Sequence, residues 1–281
     1  MKKLPKELKG GLYLSYDDLP SNLKHCFLYF SLFPEDALID RDDLVRLWLV
    51  EGFVEEQNDS LVEDVAEEYY TELLRRNLLQ FSSFTLFSNA WEYKIHDLMR
   101  NFFWNDNGFS NPLFKFGSGA EILRTLFTFN GINVLNDIQL VGLEHLRVLR
   151  LKDFDINSIP DSIGHMIHLR YLNLSGTKIR ALPESIGSLI NLQFLDFSEC
   201  IFLTTLPKSM CRLQNLRCLN LMRTPLNFIP KGISKLEKIN CFHKFVVADL
   251  REPEDSYTGL EELLSSLYWL RVLRVYRLER A

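Results

Sequence analysis

Two hydrophobic rhythms divide the sequence. In the second half, leucines return with a fixed step. Leu146-Arg-Val-Leu149-Arg-Leu151 recurs as Leu169-Arg-Tyr-Leu172-Asn-Leu174, as Leu192-Gln-Phe-Leu195-Asp-Phe197 and as Leu216-Arg-Cys-Leu219-Asn-Leu221, at spacings of 23, 23 and 24 residues. A second mark keeps the same step: Ile159-Pro160, Leu182-Pro183, Leu206-Pro207 and Ile229-Pro230. One step back lies Leu123-Arg-Thr-Leu126, and one step forward lies Ile239-Asn-Cys-Phe242. The register then breaks. Leu270-Arg-Val-Leu273-Arg-Val275 follows what reads as an insertion of about one extra repeat.

Within each unit the alternation predicts one short strand. Leu172 and Leu174 point into the stack, while Tyr171, Asn173 and Ser175 point out. The apolar-proline pair then turns the chain back along the other side, where a missing amide donor costs no ladder bond. One unit cannot close its own core, so neighbours must stack. The expectation is an α/β leucine-rich-repeat solenoid with a parallel sheet on its concave side. No capping sequence follows the last unit, so the array is expected to be incomplete at the C-terminus. The outward positions differ between repeats: Arg150 and Lys152; Tyr171, Asn173 and Ser175; Phe194, Asp196 and Ser198; Asn220 and Met222. Taken singly, each reads as solvated strand face. Taken together they are the candidate partner-binding residues of a concave recognition surface.

The first hundred residues have a helical rhythm. Leu23, Cys26, Phe27 and Phe30 fall at i, i+3, i+4 and i+7, with Ser21 as a candidate N-cap. A second helix is predicted over 42–51, with Leu44, Leu47 and Trp48 inward and Gly52 ending it. A third runs through Val62, Val65, Ala66, Tyr69 and Leu73, with a solvated acidic face. The period then becomes two: residues 79–86, and Trp91, Tyr93 and Ile95, read as two strands joined around Phe87-Ser88-Asn89. Three helices and a hairpin outline an α+β winged-helix domain over 1–105. A linker over 106–120 and the repeat domain over 121–281 complete the division. Asp97 is placed to cap a helix starting at Leu98, and His96 stands at that strand-to-helix junction.

Charge and cysteine content narrow the chemistry. The net charge is -5 over 281 residues. Residues 1–105 carry 19 acidic and 11 basic side chains, and the remainder 18 and 21. An acidic winged helix is a poor match to a phosphate backbone, so the DNA-binding alternative is disfavoured and no nucleic-acid partner is expected. Cys26, Cys200, Cys211, Cys218 and Cys241 are odd in number and contain no CxxC, which suits reduced thiols in a cytoplasmic protein and suggests no metal ligand set. No run of about 18 apolar residues exists to span a membrane. No GxSxG or GxxxxGK[ST] occurs, so neither a catalytic site nor tight nucleotide binding is expected of this chain alone.

One ordered set of motifs remains: Leu14-Ser-Tyr-Asp-Asp-Leu-Pro20, Leu23-Lys-His-Cys-Phe-Leu28, Phe33-Pro-Glu-Asp36, Leu47-Trp48, Glu51-Gly-Phe-Val54, Ile95-His-Asp-Leu98, Leu182-Pro-x-x-Ile-Gly187 and Lys244-Phe-Val-Val247. Together they resemble plant nucleotide-binding leucine-rich-repeat disease-resistance proteins of the coiled-coil class. The resemblance implies a receptor fragment in innate immunity. Its winged helix would close over ADP in an intact receptor, with His96 contacting the phosphates and Asp97 holding the local structure. Ile95 stands where that family has methionine. The resemblance also implies that ADP or ATP is bound only with an intact nucleotide-binding module. The expected partners are a pathogen effector or host protein, and that module itself.

Overall fold

The computed structural model describes residues 14–33, 37–55, 61–85, 90–95, 124–127, 143–248, 253, 256–268 and 270–277. The chain divides into two units, Met1–Phe114 and Lys115–Ala281.

In the first unit, α1 (Ser21–Leu28) buries the stripe of Leu23, Cys26 and Phe27, and a 3-10 turn over Tyr29–Leu32 carries Phe30 into the same core. Ser21 is the first helical residue rather than the cap. Pro20 holds the N-cap position with extended backbone, and no side chain caps the helix. A short strand missed by the alternation rule, β1 (Ile39–Asp40), leads into α2 (Arg41–Glu51). The helix starts one residue earlier than its acidic pair suggests, because Asp40 accepts the Asp43 backbone N–H at 2.9 Å. That bond satisfies one of the orphan amides of the first turn. Gly52 ends the helix at φ 80°, a left-handed conformation open to glycine. Trp48 is fully buried, and its indole N–H donates to the Cys26 carbonyl at 3.1 Å, tying α2 to α1.

The third helix, α3 (Val62–Arg75), turns Val65, Ala66, Tyr70 and Leu73 inward. Tyr70, not Tyr69, fills the core; Tyr69 stays half-buried and accepts a hydrogen bond from Asn22. The expected hairpin is present as antiparallel β2 (Leu79–Thr85) and β3 (Ala90–Ile95). β1 adds to the far side of β3, giving the order β1-β3-β2. Tyr93 meets the Tyr70 ring edge-on at 5.1 Å, so the sheet rests on α3.

In the second unit, seven strands form one parallel sheet in reverse chain order from β10 to β4. They are β4 (Thr125–Phe127), β5 (Val148–Arg150), β6 (Tyr171–Asn173), β7 (Phe194–Asp196), β8 (Cys218–Asn220), β9 (Cys241–Val246) and β10 (Val272–Tyr276). The predicted period fixes their pairing. Leu126, Leu149, Leu172, Leu195, Leu219, Phe242 and Leu273 stand directly beside one another and form an inward ladder. Leu149, Leu172, Leu195, Leu219 and Phe242 are almost completely excluded from water.

The four strands β5 to β8 end in the same way. Asp153, Gly176, Glu199 and Arg223, spaced by one repeat, all adopt positive φ between 56° and 70°. The chain then turns toward short 3-10 helices over Asp161–His165, Glu184–Ser188, Lys208–Arg212 and Ile233–Lys235. Pro160, Pro183 and Pro207 sit at the N-cap positions of the first three, where a proline loses no internal bond. Gly187 has a packing reason. A Cβ there would lie 2.5 Å from the Ser209 carbonyl oxygen of the next repeat. Asn191 and Asn215 donate to the Ile167 and Ile190 carbonyls of the preceding repeat at 2.7 and 2.8 Å.

The expected extra repeat between Ile239 and Leu270 is absent as a strand. β10 pairs directly with β9. The added residues contain a helix, α4 (Leu260–Ser266), which packs beside the Ile233–Lys235 turn. Ser234 donates to Glu262 at 2.6 Å and Lys231 pairs with it at 3.2 Å. The insertion therefore lengthens one repeat instead of adding another.

Two outcomes follow from this packing. Leu172→Asp places a charge in the inward ladder. It should cost more than the ~3 kcal/mol typical of emptying a buried leucine site. Neighbouring repeats should lose structure with it, visible as a lower melting temperature by circular dichroism. An unchanged melt would remove Leu172 from the stacked core. In the first unit, burial foremost, with the nearby Asp43 charge, pushes the Asp40 carboxyl up to about 7. The folded state then holds that proton more tightly than the unfolded chain. Its stabilising contribution is complete below the ordinary range near 4 and is lost as pH rises through about 7. Asp40→Asn keeps the capping oxygen, so denaturant melts of the variant should flatten across this window. A slope equal to wild type would assign the dependence to another group.

Candidate functional site

The outward strand positions form three rows across the sheet. The first row is Thr125, Val148, Tyr171, Phe194, Cys218, Cys241 and Val272; the second is Phe127, Arg150, Asn173, Asp196, Asn220, His243 and Arg274. Lys152, Ser175, Ser198 and Met222 follow the second row two residues further along each chain. Register thus brings Arg150, Tyr171, Asn173, Phe194, Asp196 and Asn220 onto one face, while Lys152, Ser175, Ser198 and Met222 lie just past the strand ends.

They are unequal in access. Tyr171, Asn173, Ser175 and Phe194 are only 2, 1, 5 and 4% exposed. The Tyr171 and Phe194 rings lie 6.4 Å apart on adjacent strands. Lys152 is exposed, and Arg150, Asp196, Ser198, Asn220 and Met222 are half-buried. The reachable part of the candidate face is therefore a basic pair at one end and a polar run over β7 and β8.

The second-row polar residues also have a backbone duty. Asn173 Oδ1 accepts from the Ser175 N–H at 2.9 Å and from its hydroxyl at 2.7 Å. Asp196 Oδ1 accepts from the Ser198 N–H at 2.7 Å, and Asn220 Oδ1 from the Met222 N–H at 3.2 Å. In each of these three repeats an Asx side chain bonds the amide two residues on and closes the strand. Asn220 Nδ2 also donates to Asp196 Oδ2 at 3.0 Å, linking neighbouring repeats. Asn173, Asp196 and Asn220 thus shape the face on which they stand. From the sequence they read only as outward strand positions, although an Asx three residues before a left-handed residue is a legible signal.

On α2 of the first unit, the two arginines a DNA reader would use are engaged with acidic groups. Arg41 pairs with Glu67 and lies 5.4 Å over the Tyr70 ring. Arg46 lies 3.9 and 3.8 Å from Asp42 and Asp43. His96, the nucleotide-facing candidate, and Asp97 lie outside the described residues, as does the 106–120 linker. Val148 and His243 were not singled out from the sequence, and Cys218 and Cys241 were read only as reduced thiols, yet all four occupy the same two rows.

Comparison with known proteins fits this geometry. A family described as "Leucine-rich repeat region" matches residues 122–280, more than half of the chain, and the protein belongs to that family. The "Disease resistance protein Winged helix domain" matches residues 32–103. The disease resistance protein RPM1 of Arabidopsis thaliana is 31% identical over 56% of this chain and 20% of its own length. The ToMV susceptible protein tm-2 of Solanum lycopersicum is 36% identical over 55% of this chain and 19% of its own. RGA2 of Solanum bulbocastanum is 34% identical over 56% of this chain and 16% of its own. The matched stretch spans about a fifth of the length of these curated relatives. Among solved structures, a leucine-rich-repeat protein of Leptospira interrogans aligns at TM-score 0.39 and 25% identity over 48% of this chain and 33% of that one. Among the described residues, no helix is long and apolar enough to cross a membrane.

Proposed function

We propose that this chain serves as the regulatory and sensing segment of a plant disease-resistance receptor. The observation that carries this reading is the joining, in one chain, of a disease-resistance winged helix to a leucine-rich-repeat array. In this reading the repeats bind a pathogen effector or a host protein and govern a nucleotide switch, in a cytoplasmic setting. The reachable basic pair Arg150 and Lys152, the polar run Asp196, Ser198 and Asn220, and the apolar Met222 supply the contacts. Specificity is spread over several repeats, because each presents only two or three outward side chains. The role is binding rather than turnover.

Regulation of this kind is a population shift. The repeat face must contact the resting and active arrangements of a nucleotide-binding module with different free energies. A ligand on the same face then changes the balance. ADP or ATP would be held by that module through its own phosphate-binding loop, with His96 contributing a phosphate contact. The paired state of Arg41 and Arg46 favours this reading over DNA binding.

Two measurements test it. Co-expressed in leaf tissue, the nucleotide-binding module of a full-length relative should be captured by this chain. Arg150→Glu with Lys152→Glu should reduce that capture by roughly tenfold, since charge reversal at a binding face replaces attraction by repulsion. Equal capture by the variant would remove this end of the face from the contact. Calorimetry with ADP on the isolated chain should give no measurable heat, because its sequence contains no GxxxxGK[ST] motif to cradle the phosphates. Micromolar binding would show that the chain holds nucleotide by itself.

A further inference from the structure

The first two rows of the concave face converge on a set of soft donors. Cys218 on β8 stands directly beside Cys241 on β9, and His243 follows Cys241 by two residues on the same face. Their ligand atoms all lie within 4.8 Å of one another. Cys241 Sγ lies 3.0 Å from His243 Nε2. Cys218 is buried, and the other two are half-buried. The other ring nitrogen of His243, Nδ1, is buried without a hydrogen-bond partner among the described residues. Nε2 is the ring nitrogen that faces the Cys241 sulfur.

We infer that Cys218, Cys241 and His243 form a zinc-binding site on the concave face. Two thiolates and one imidazole are donors of the type zinc prefers. Zinc bonds of about 2.3 Å to sulfur and about 2.0 Å to nitrogen place tetrahedral donors roughly 3.5–3.8 Å apart. The 3.0 Å between Cys241 Sγ and His243 Nε2 and the 4.8 Å limit on the other separations bracket that range. The strands supply the scaffold: a ladder neighbour and an i, i+2 pair make a triangle without help from any loop. Binding releases the two thiol protons to solvent and leaves a neutral metal-ligand set, which suits a half-buried place beside the cationic Arg274 of β10. Three protein donors leave one coordination position, open on the side where a partner would dock. No CxxC spacing announces this site. The two cysteines are 23 residues apart, which is one repeat, and the solenoid brings them together.

The test uses the full 281-residue chain, reduced and stripped of metal, titrated with Co(II) and then with Zn(II). One equivalent of cobalt should raise a thiolate-to-metal charge-transfer band in the near ultraviolet, and one equivalent of zinc should bleach it. Cys218→Ser and Cys241→Ser should each abolish the band, while Cys211→Ser should keep it. His243→Gln should retain sulfur ligation, shift the cobalt bands and weaken zinc binding at least about tenfold in competition with a chromophoric chelator. If a cysteine variant loses its circular dichroism signal, the wild-type stoichiometry and the His243→Gln shift decide the matter. No band in the wild type, a band that survives both cysteine variants in folded form, or an unshifted spectrum in His243→Gln would overturn the site.

Discussion

Everything in the repeat unit depends on one constraint: a single turn of chain cannot bury its own leucines. Leu149, Leu172, Leu195, Leu219 and Phe242 become a core only because each is covered by the next. That covering requires the turns to superimpose, and superposition sets the period. Other features serve it. Left-handed residues end the strands at one level, glycine lets adjacent 3-10 turns approach, and asparagines hold the carbonyl of the preceding turn. The winged-helix unit depends on a different contact, where Trp48 fills the centre and its indole fastens one helix to the backbone of another.

Periodicity was readable wherever it had a physical cause that repeats. The inward ladder, the hairpin and the helices over 21–28, 41–51 and 62–75 all followed from spacing alone. What escaped was local or long-range. Ser21 and Asp42 looked like helix starts, but the backbone geometry at Pro20 and the acceptor at Asp40 decided the actual ones. The strand at Ile39 is two residues long, too short for any alternation to appear. Tyr70 displaced Tyr69 because β3 brought Tyr93 against that side of the helix, a contact no helical wheel contains. On the repeat face, register predicted direction correctly but not access. Tyr171 and Phe194 point away from the leucine core and are nonetheless buried.

That difference changes how the recognition face is understood. The Asx residues of its second row hold the strand ends, so replacing them alters backbone as well as surface. Exposed side chains outside this duty, such as Lys152, vary at lower structural cost. The same register explains how chemistry arises from an unremarkable sequence. Residues one period apart become neighbours, so a cysteine in successive repeats makes a pair that no local motif would reveal.

The lengthened repeat between β9 and β10 carries a consequence for how such a surface diversifies. Extra residues were accommodated as α4 while the strands on either side stayed paired. Chain length is therefore almost a free variable on the outside of the curve and a fixed one on the inside. A lineage can acquire insertions there as new exterior docking elements, whereas an insertion within a strand would shift every side chain after it. Substitution and insertion thus explore opposite sides of the same molecule, and they can do so independently.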